Sequence, residues 1–358
     1  MMTEFDDVKR LMAQFDPAPG ARFAGAARRP QARDLLLRIL ESPRDVPAAS
    51  NLPRRRVLGL AGAAALVSVA GVTTYLSADR TGVSRIPTVA MLRYNLVNGR
   101  GDMQGAPPAA RAVLLKLAEI ADRQLASPVP ADAAFKYVKF NAWYLNVAVA
   151  QGHTSTAVIP TVVEQWTPVA PSGTARRREH RGEPIIIGYG SPETAAAVSD
   201  STPLSDEVIS QVSPAAENLP PDAEDLRQAL LRTGPVPSDI PDGYRLVQAV
   251  IDLHSEQVIS PRLSAALWRM LSGQPHLVYL GATTDRAGRA GEAIAFEATV
   301  GLPKRWVLII DPTSGRLNSS EEILTKDPGK LDVTVPAVIG YKLFLRQGWT
   351  ADNSATVQ

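Results

Sequence analysis

The sequence predicts an α+β fold: helices plus an antiparallel β-meander in an extracytoplasmic domain, preceded by one transmembrane helix. Three observations predict it. Residues 57–78 run for 22 positions without a charge. Further on, three segments with helical apolar spacing give way, from His276, to segments of period two. The short turns "DRAGRAG" and "DPTSG" then join neighbouring strands antiparallel. Helices followed by hairpin-linked strands indicate α+β and not a doubly wound sheet.

Residues 1–56 form the first unit, a weakly ordered cytoplasmic segment with short amphipathic helices. "FDDVKRLMAQF" places Val8, Leu11, Met12 and Phe15 at helical spacing, and "ARDLLLRILE" does the same with Leu35, Leu36, Ile39 and Leu40. Between them the chain is too rich in Pro, Gly and Ala for one packed element. A helix without its own core buries its apolar face in a partner or a membrane, so Leu35, Leu36, Ile39 and Leu40 are the candidate partner-binding residues. A frayed tail is the alternative reading of the same stretch. The unit carries 11 Lys and Arg against 7 Asp and Glu, a balance suited to anionic lipid and needing no nucleic acid.

The second unit, 57–78, is long enough as a helix to cross the roughly 30 Å hydrocarbon core of a bilayer. Gly, Ala, Leu and Val surround its axis, and Ser68, Thr73 and Thr74 can bond back to their own helix. Arg54, Arg55 and Arg56 stand directly before it, whereas Asp79 and Arg80 cancel after it. The positive-inside rule then puts the N-terminus in the cytoplasm and everything after Asp79 outside, a single-pass protein of the cell membrane. A cleaved twin-arginine export signal and a buried soluble helix are the competing readings.

The third unit, 79–358, is the extracytoplasmic α+β domain, with lobes at about 79–190 and 219–350 joined by a loop-rich stretch. "PTVAMLRYNLVNG" opens it in extended form, and "PPAARAVLLKLAEIADRQLA" reads as a helix with Val113, Leu114, Leu117, Ile120, Ala121 and Leu125 on one face. "AFKYVKFNAWYLNVAVA" and "TSTAVIPTVVEQWTPVA" are strands by their aromatic and β-branched content, and "PSGTARRREHRGEP" is a turn and a polar strand. Residues 188–222 read as a low-hydrophobicity loop. Asp222 then caps the helix of "AEDLRQALL", "GYRLVQAVIDLHSEQ" continues the helical period, and Ser260-Pro261 and Gly273 bound a third helix. The meander comprises "HLVYLGATTD", "GEAIAFEATV", "RWVLIIDP", "GRLNSSEEIL" and "AVIGYKLFLRQGWT".

The segments "LPPDAEDLRQALL", "ISPRLSAALWRMLSGQPHLVYLGATTDRAGRAGEAIAFE" and "LIIDPTSGRLNSSEEIL" resemble an uncharacterised actinobacterial family of single-span membrane proteins, often encoded beside sigma-factor genes. "EQWTPVAPSGTARRRE" is similar to the Trp-bearing strand and turn of that family's first lobe. The resemblance implies the architecture, and its gene setting implies a sigma factor or another cytoplasmic regulator as partner. It implies no catalytic residues. A sheet flanked by helices is also similar in outline to half-open carrier and sensor domains, an analogy of fold alone.

Cysteine is absent, which excludes a thiol nucleophile, Cys-ligated zinc and iron–sulfur chemistry. His153, His180, His254 and His276 are scattered, and Asp252, His254 and Glu256 read as positions on a surface helix pointing in different directions. Glu321 and Glu322 face opposite sides of a strand, so they do not converge on one substrate. Arg176, Arg177 and Arg178 read as a solvated hairpin edge. Trp143, Trp166 and Trp306 are the candidates for a ligand cleft, with core filling as the alternative. No catalytic, cofactor-binding or metal site is expected. The function read from these residues is a non-enzymatic bitopic membrane protein whose outer domain binds or senses an external ligand or partner; the alternative is an exported carrier of a hydrophobic ligand.

Overall fold

The computed structural model describes residues 90–97, 108–150, 153–170, 174–182, 185–186, 205–209, 214–232, 240–298, 301–329, 331, 333 and 335–357. The segment 1–56 and the apolar run 57–78 lie outside these residues, together with Arg54, Arg55, Arg56, Leu35, Leu36, Ile39 and Leu40. Among the described residues no helix is long and apolar enough to cross a membrane.

Four α-helices and one antiparallel sheet make up the described fold. Helix α1 spans Arg111–Asp122, α2 Ala223–Leu231, α3 Asp242–Glu256 and α4 Pro261–Ser272. The strands are β1 Phe135–Ala150, β2 His153–Pro168, β3 Ala175–Arg181, β4 Ile185–Ile186, β5 Ser205–Ile209, β6 Leu277–Thr284, β7 Ala290–Ala298, β8 Lys304–Ile310, β9 Leu317–Leu324 and β10 Ala337–Thr350. Their order is β5-β3-β2-β1-β10-β9-β8-β7-β6, with β4 also paired to β2. The helical segments and the five-stranded meander therefore stand where the periodicity put them. The last strand folds back beside the first, so both lobes contribute to one sheet.

Helix ends follow from their caps. The Asp222 carboxylate accepts from the backbone N–H of Glu224 at 2.9 Å and of Asp225 at 3.1 Å. The Ser260 hydroxyl accepts from Leu263 N–H at 3.2 Å, Pro261 follows it, and Gly273 ends α4. Leu114, Leu117 and Ala121 of α1 meet Leu267 and Leu271 of α4 in one apolar cluster, which rests on Ile294, Phe296, Leu308 and Ile310 of the sheet. Trp268 lies wholly inside it and donates its indole N–H to the Gly315 carbonyl at 2.7 Å.

A second cluster fills the opposite face with Trp143, Leu280, Ala293, Ala295, Val307, Ile309, Ile323, Val338 and Ile339. β7 and β8 are thus covered on both faces, which explains why "RWVLII" is a nearly unbroken apolar run.

Three expectations are corrected. The stretch 188–222 is not all loop: Ser205–Ile209 pairs with Ala175–Glu179 as an edge strand, its polar composition suiting a strand covered on one side only. Helix α3 is not a surface helix, because His254, Ser255 and Glu256 are all buried as its last turn enters the sheet–helix interface. Arg176–Arg178 do not form a solvated edge. Arg177 is buried, bonded to Glu179 and to the Tyr144 hydroxyl, and β5 covers the strand that carries all three.

Packing at the helix–sheet interface sets the sizes of two losses. Leu267→Ala is expected to destabilise the protein by about 2–5 kcal/mol through the cavity it leaves. Ser260→Ala should cost about 1 kcal/mol through the lost cap. Chemical denaturation, with the transition midpoint compared at constant slope, checks both.

Candidate functional site

Trp143, Trp166 and Trp306 do not share a cleft. Trp143 lies on the face opposite the helices, its ring 5.3 Å from that of Tyr341. Trp306 lies on the helix face, edge-on to Tyr244 at 6.4 Å. Trp166 is wholly buried beside Tyr137, at 5.4 Å between rings. Register explains the separation: Trp166 pairs with Tyr137 and Trp143 with Pro160, positions about 20 Å apart along one strand at ~3.3 Å per residue. Strand parity turns Trp306 to the other side.

The histidines are also apart. His254 donates through Nδ1 to the Val250 carbonyl at 2.8 Å and lies between Trp268 and Phe344. Burial drives its pKa down to about 4, the Val250 bond opposes that, and the charge of Arg316 adds to it. A cavity of about 10 Å³ beside it, lined by Ile259, Ser264, Arg316 and Phe344, has room for roughly one water. His180 is buried on β3, its Nε2 3.6 Å from a Glu164 carboxylate oxygen and beyond hydrogen-bond reach. Glu164 accepts instead from the Tyr137 hydroxyl at 2.6 Å.

A buried polar constellation is built on Glu321. As strand parity requires, Glu321 and Glu322 part company: Glu322 pairs with Lys304 at 2.7 Å on one face, and Glu321 enters the other. The Glu321 carboxylate, wholly desolvated, lies 2.7 Å from Arg286 Nε and accepts from the Tyr94 hydroxyl at 3.3 Å. The Arg286 guanidinium also sits over the Tyr341 ring at 5.0 Å. Burial raises the Glu321 pKa, with the Arg286 charge opposing it, and burial likewise pushes the Tyr94 hydroxyl well above its ordinary value.

This constellation fastens residues 90–97, the first described residues after the apolar run, to the sheet. Asn95 N–H donates to the Ala282 carbonyl at 3.1 Å and Leu96 N–H to that of Leu280 at 3.0 Å. The Thr283 hydroxyl donates to the Arg93 carbonyl at 2.7 Å, and Arg286 reaches the Ala90 carbonyl at 3.1 Å. Gly281, at φ +100°, makes room, since a Cβ there would come within 3.0 Å of Leu96 N. The arrangement is a latch, a buried ion pair whose partners come from a hairpin and a mid-sheet strand, with a tyrosine from the segment that it holds.

Sequence reasoning missed Tyr94 and Arg286. A signal existed in the carboxylate of Glu321, which stands in a strand running into Ile323 and Leu324 and must find a cation if that face is buried. Among the described residues no group of three His, Asp or Glu is placed to hold a metal ion.

No family model matches this chain, and no curated protein matches it in sequence. Among solved structures, the complex of MucA and MucB from Pseudomonas aeruginosa is similar at 16% identity, covering 67% of this chain and 56% of that chain, with a TM-score of 0.25. This chain thus spans a little over half the length of the one it matches. A superposition this loose carries no argument about partners.

Two measurements test the site. Arg286→Ala leaves Glu321 buried without its cation and is expected to cost about 3–5 kcal/mol. Hydrogen exchange at the Asn95 and Leu96 amides should rise with it, whereas Arg286→Met with Glu321→Leu should recover most of the loss. His254 sets a pH dependence. Its folded pKa lies below the unfolded value, so the unfolded chain takes the proton first. Stability is full above about pH 6.5 and falls by on the order of 3 kcal/mol as pH drops toward 4. In His254→Phe that slope should vanish from denaturation curves recorded across the same window.

Proposed function

We propose that this chain is a non-enzymatic, single-pass membrane protein of the actinobacterial type its sequence resembles, with the N-terminus in the cytoplasm and the α+β domain outside. The outer domain binds a ligand or partner, and its state passes through residues 90–97 to the inner segment. There the face formed by Leu35, Leu36, Ile39 and Leu40 meets a sigma factor or another cytoplasmic regulator. One observation carries the reading: the described residues that follow the charge-flanked apolar run are latched into the sheet by the buried Glu321–Arg286 pair and Tyr94. A tether that served only as a linker would need no such fastening. Buried ion pairs are costly to break and add little net stability, so they suit the specification of one arrangement over another.

The test uses the full chain in its own membrane. Resistance to carbonate extraction, an inside signal from a reporter fused at residue 40 and an outside signal from one at the C-terminus are expected. The chain should also co-purify with its sigma factor, and Leu36→Asp with Leu40→Asp should abolish that association. Reversed reporter signals would overturn the orientation. Unchanged association in the double variant would overturn the regulatory contact, and release by carbonate with bound lipid would replace the whole reading by the exported carrier.

A further inference from the structure

After Thr350 the chain bends at residues 351–354 and runs back over β3, β2, β1 and β10 on the face opposite the helices. The turn is made by Asp352, whose carboxylate accepts from Ser354 N–H at 2.7 Å, the Ser354 hydroxyl at 2.6 Å and Ala355 N–H at 2.8 Å. From there exposure alternates: Asn353, Ala355 and Val357 are half-buried while Asp352, Ser354 and Thr356 are exposed.

Three side chains of the sheet catch three alternate carbonyls of this strap. Arg176 Nη1 donates to Asn353 O at 2.8 Å, Trp166 Nε1 to Ala355 O at 2.6 Å and Arg346 Nη1 to Val357 O at 2.8 Å. Two of the donors are held in place without the strap. Arg176 is forked against Asp206, with Nε donating to the carboxylate at 2.6 Å. Trp166 is packed against Tyr137 and flanked by the guanidinium groups of Arg176 and Arg178 at 5.6 and 5.3 Å. Gly348 supplies the space for Val357, because a Cβ there would stand 2.8 Å from that side chain.

Every one of these polar contacts reads main chain. The arrangement recognises the spacing of carbonyls in an extended segment, and its one demand on sequence is a compact β-branched residue over Gly348. We propose that this face is a docking groove for an extended peptide, occupied in cis by residues 353–357. A partner protein bearing an uncharged extended segment with a β-branched residue at the last docked position takes the groove by displacing the strap. The strap is therefore an autoinhibitory contact, and Asp352 sets how tightly it closes. This inference goes beyond the proposed membrane topology and does not depend on it.

The test uses the full chain in detergent and a fluorescent peptide with the sequence of residues 351–358, followed by anisotropy. Asp352→Ala removes the turn and opens the groove, so it should bind the peptide at least about tenfold more tightly than the unaltered chain, a difference of about 1.4 kcal/mol. In that background Trp166→Phe and, separately, Arg346→Gln should return binding to the level of the unaltered chain. Arg346 is exposed, so its replacement keeps the test valid if the buried Trp166 variant fails to fold. Equal affinity of the Asp352→Ala and unaltered chains overturns the proposal. So does full binding in the Arg346→Gln variant, or dimers exchanging straps with no uptake of peptide.

Discussion

Antiparallel pairing of β1 with β10 is the contact on which the rest of this structure depends. It runs from Phe135 opposite Thr350 to Trp143 opposite Tyr341, and it joins segments some two hundred positions apart in the chain. Without it the meander β6–β10 and the wing β1–β2–β3–β5 would be separate sheets with unpaired edges, each a liability for aggregation. Closing so long a loop adds only a logarithmic entropic cost, which the ladder and the apolar faces that it aligns offset. A bulge near Lys139 and Phe140 shifts the register by one residue, so that Lys139 lies opposite Arg346 and Phe140 opposite Phe344.

Polar groups set inside this frame decide which segment lies where. Glu321 with Arg286, Arg177 with Glu179 and Lys136 with Glu217 each join an interior or sheltered charge to an opposite one. For Glu179, burial alone would raise the pKa, yet the charges of Arg177 and Arg181 outweigh it and bring it down to about 2. Such pairs contribute little net stability, because desolvation cancels most of the attraction, but a misplaced segment would leave a bare charge in the core. The latch on residues 90–97 and the closure of the wing both rest on that asymmetry.

Much of the fold was legible from local pattern. The Asp222 and Ser260 caps, the Gly273 stop and the turns "DRAGRAG" and "DPTSG" act within a few residues, so their chemistry is written in adjacent positions. The candidate site was far less legible. Tyr94, Arg286 and Glu321 are separated by up to 227 positions, and nothing in any one of their neighbourhoods names the other two. Trp143, Trp166 and Trp306 were visible as strand aromatics, yet whether they met depended on strand order and parity. The edge strand β5 was hidden because its sequence "SDEVI" lacks a two-sided apolar pattern, and its pairing is carried by main chain and by Asp206 against Arg176 and Arg178.

By itself the sequence determined the helices, the meander, the absence of thiol chemistry and the charge-flanked apolar run, since each follows from periodicity, composition or a cap of a few residues. Only the tertiary structure decided that β10 returns to β1, that His254 and Arg177 go inside, and that Glu321 holds Tyr94 and Arg286. The physical reason is range. Secondary structure answers to neighbours along the chain, whereas the cost of burying a charge is settled only when distant strands have chosen their partners and their faces.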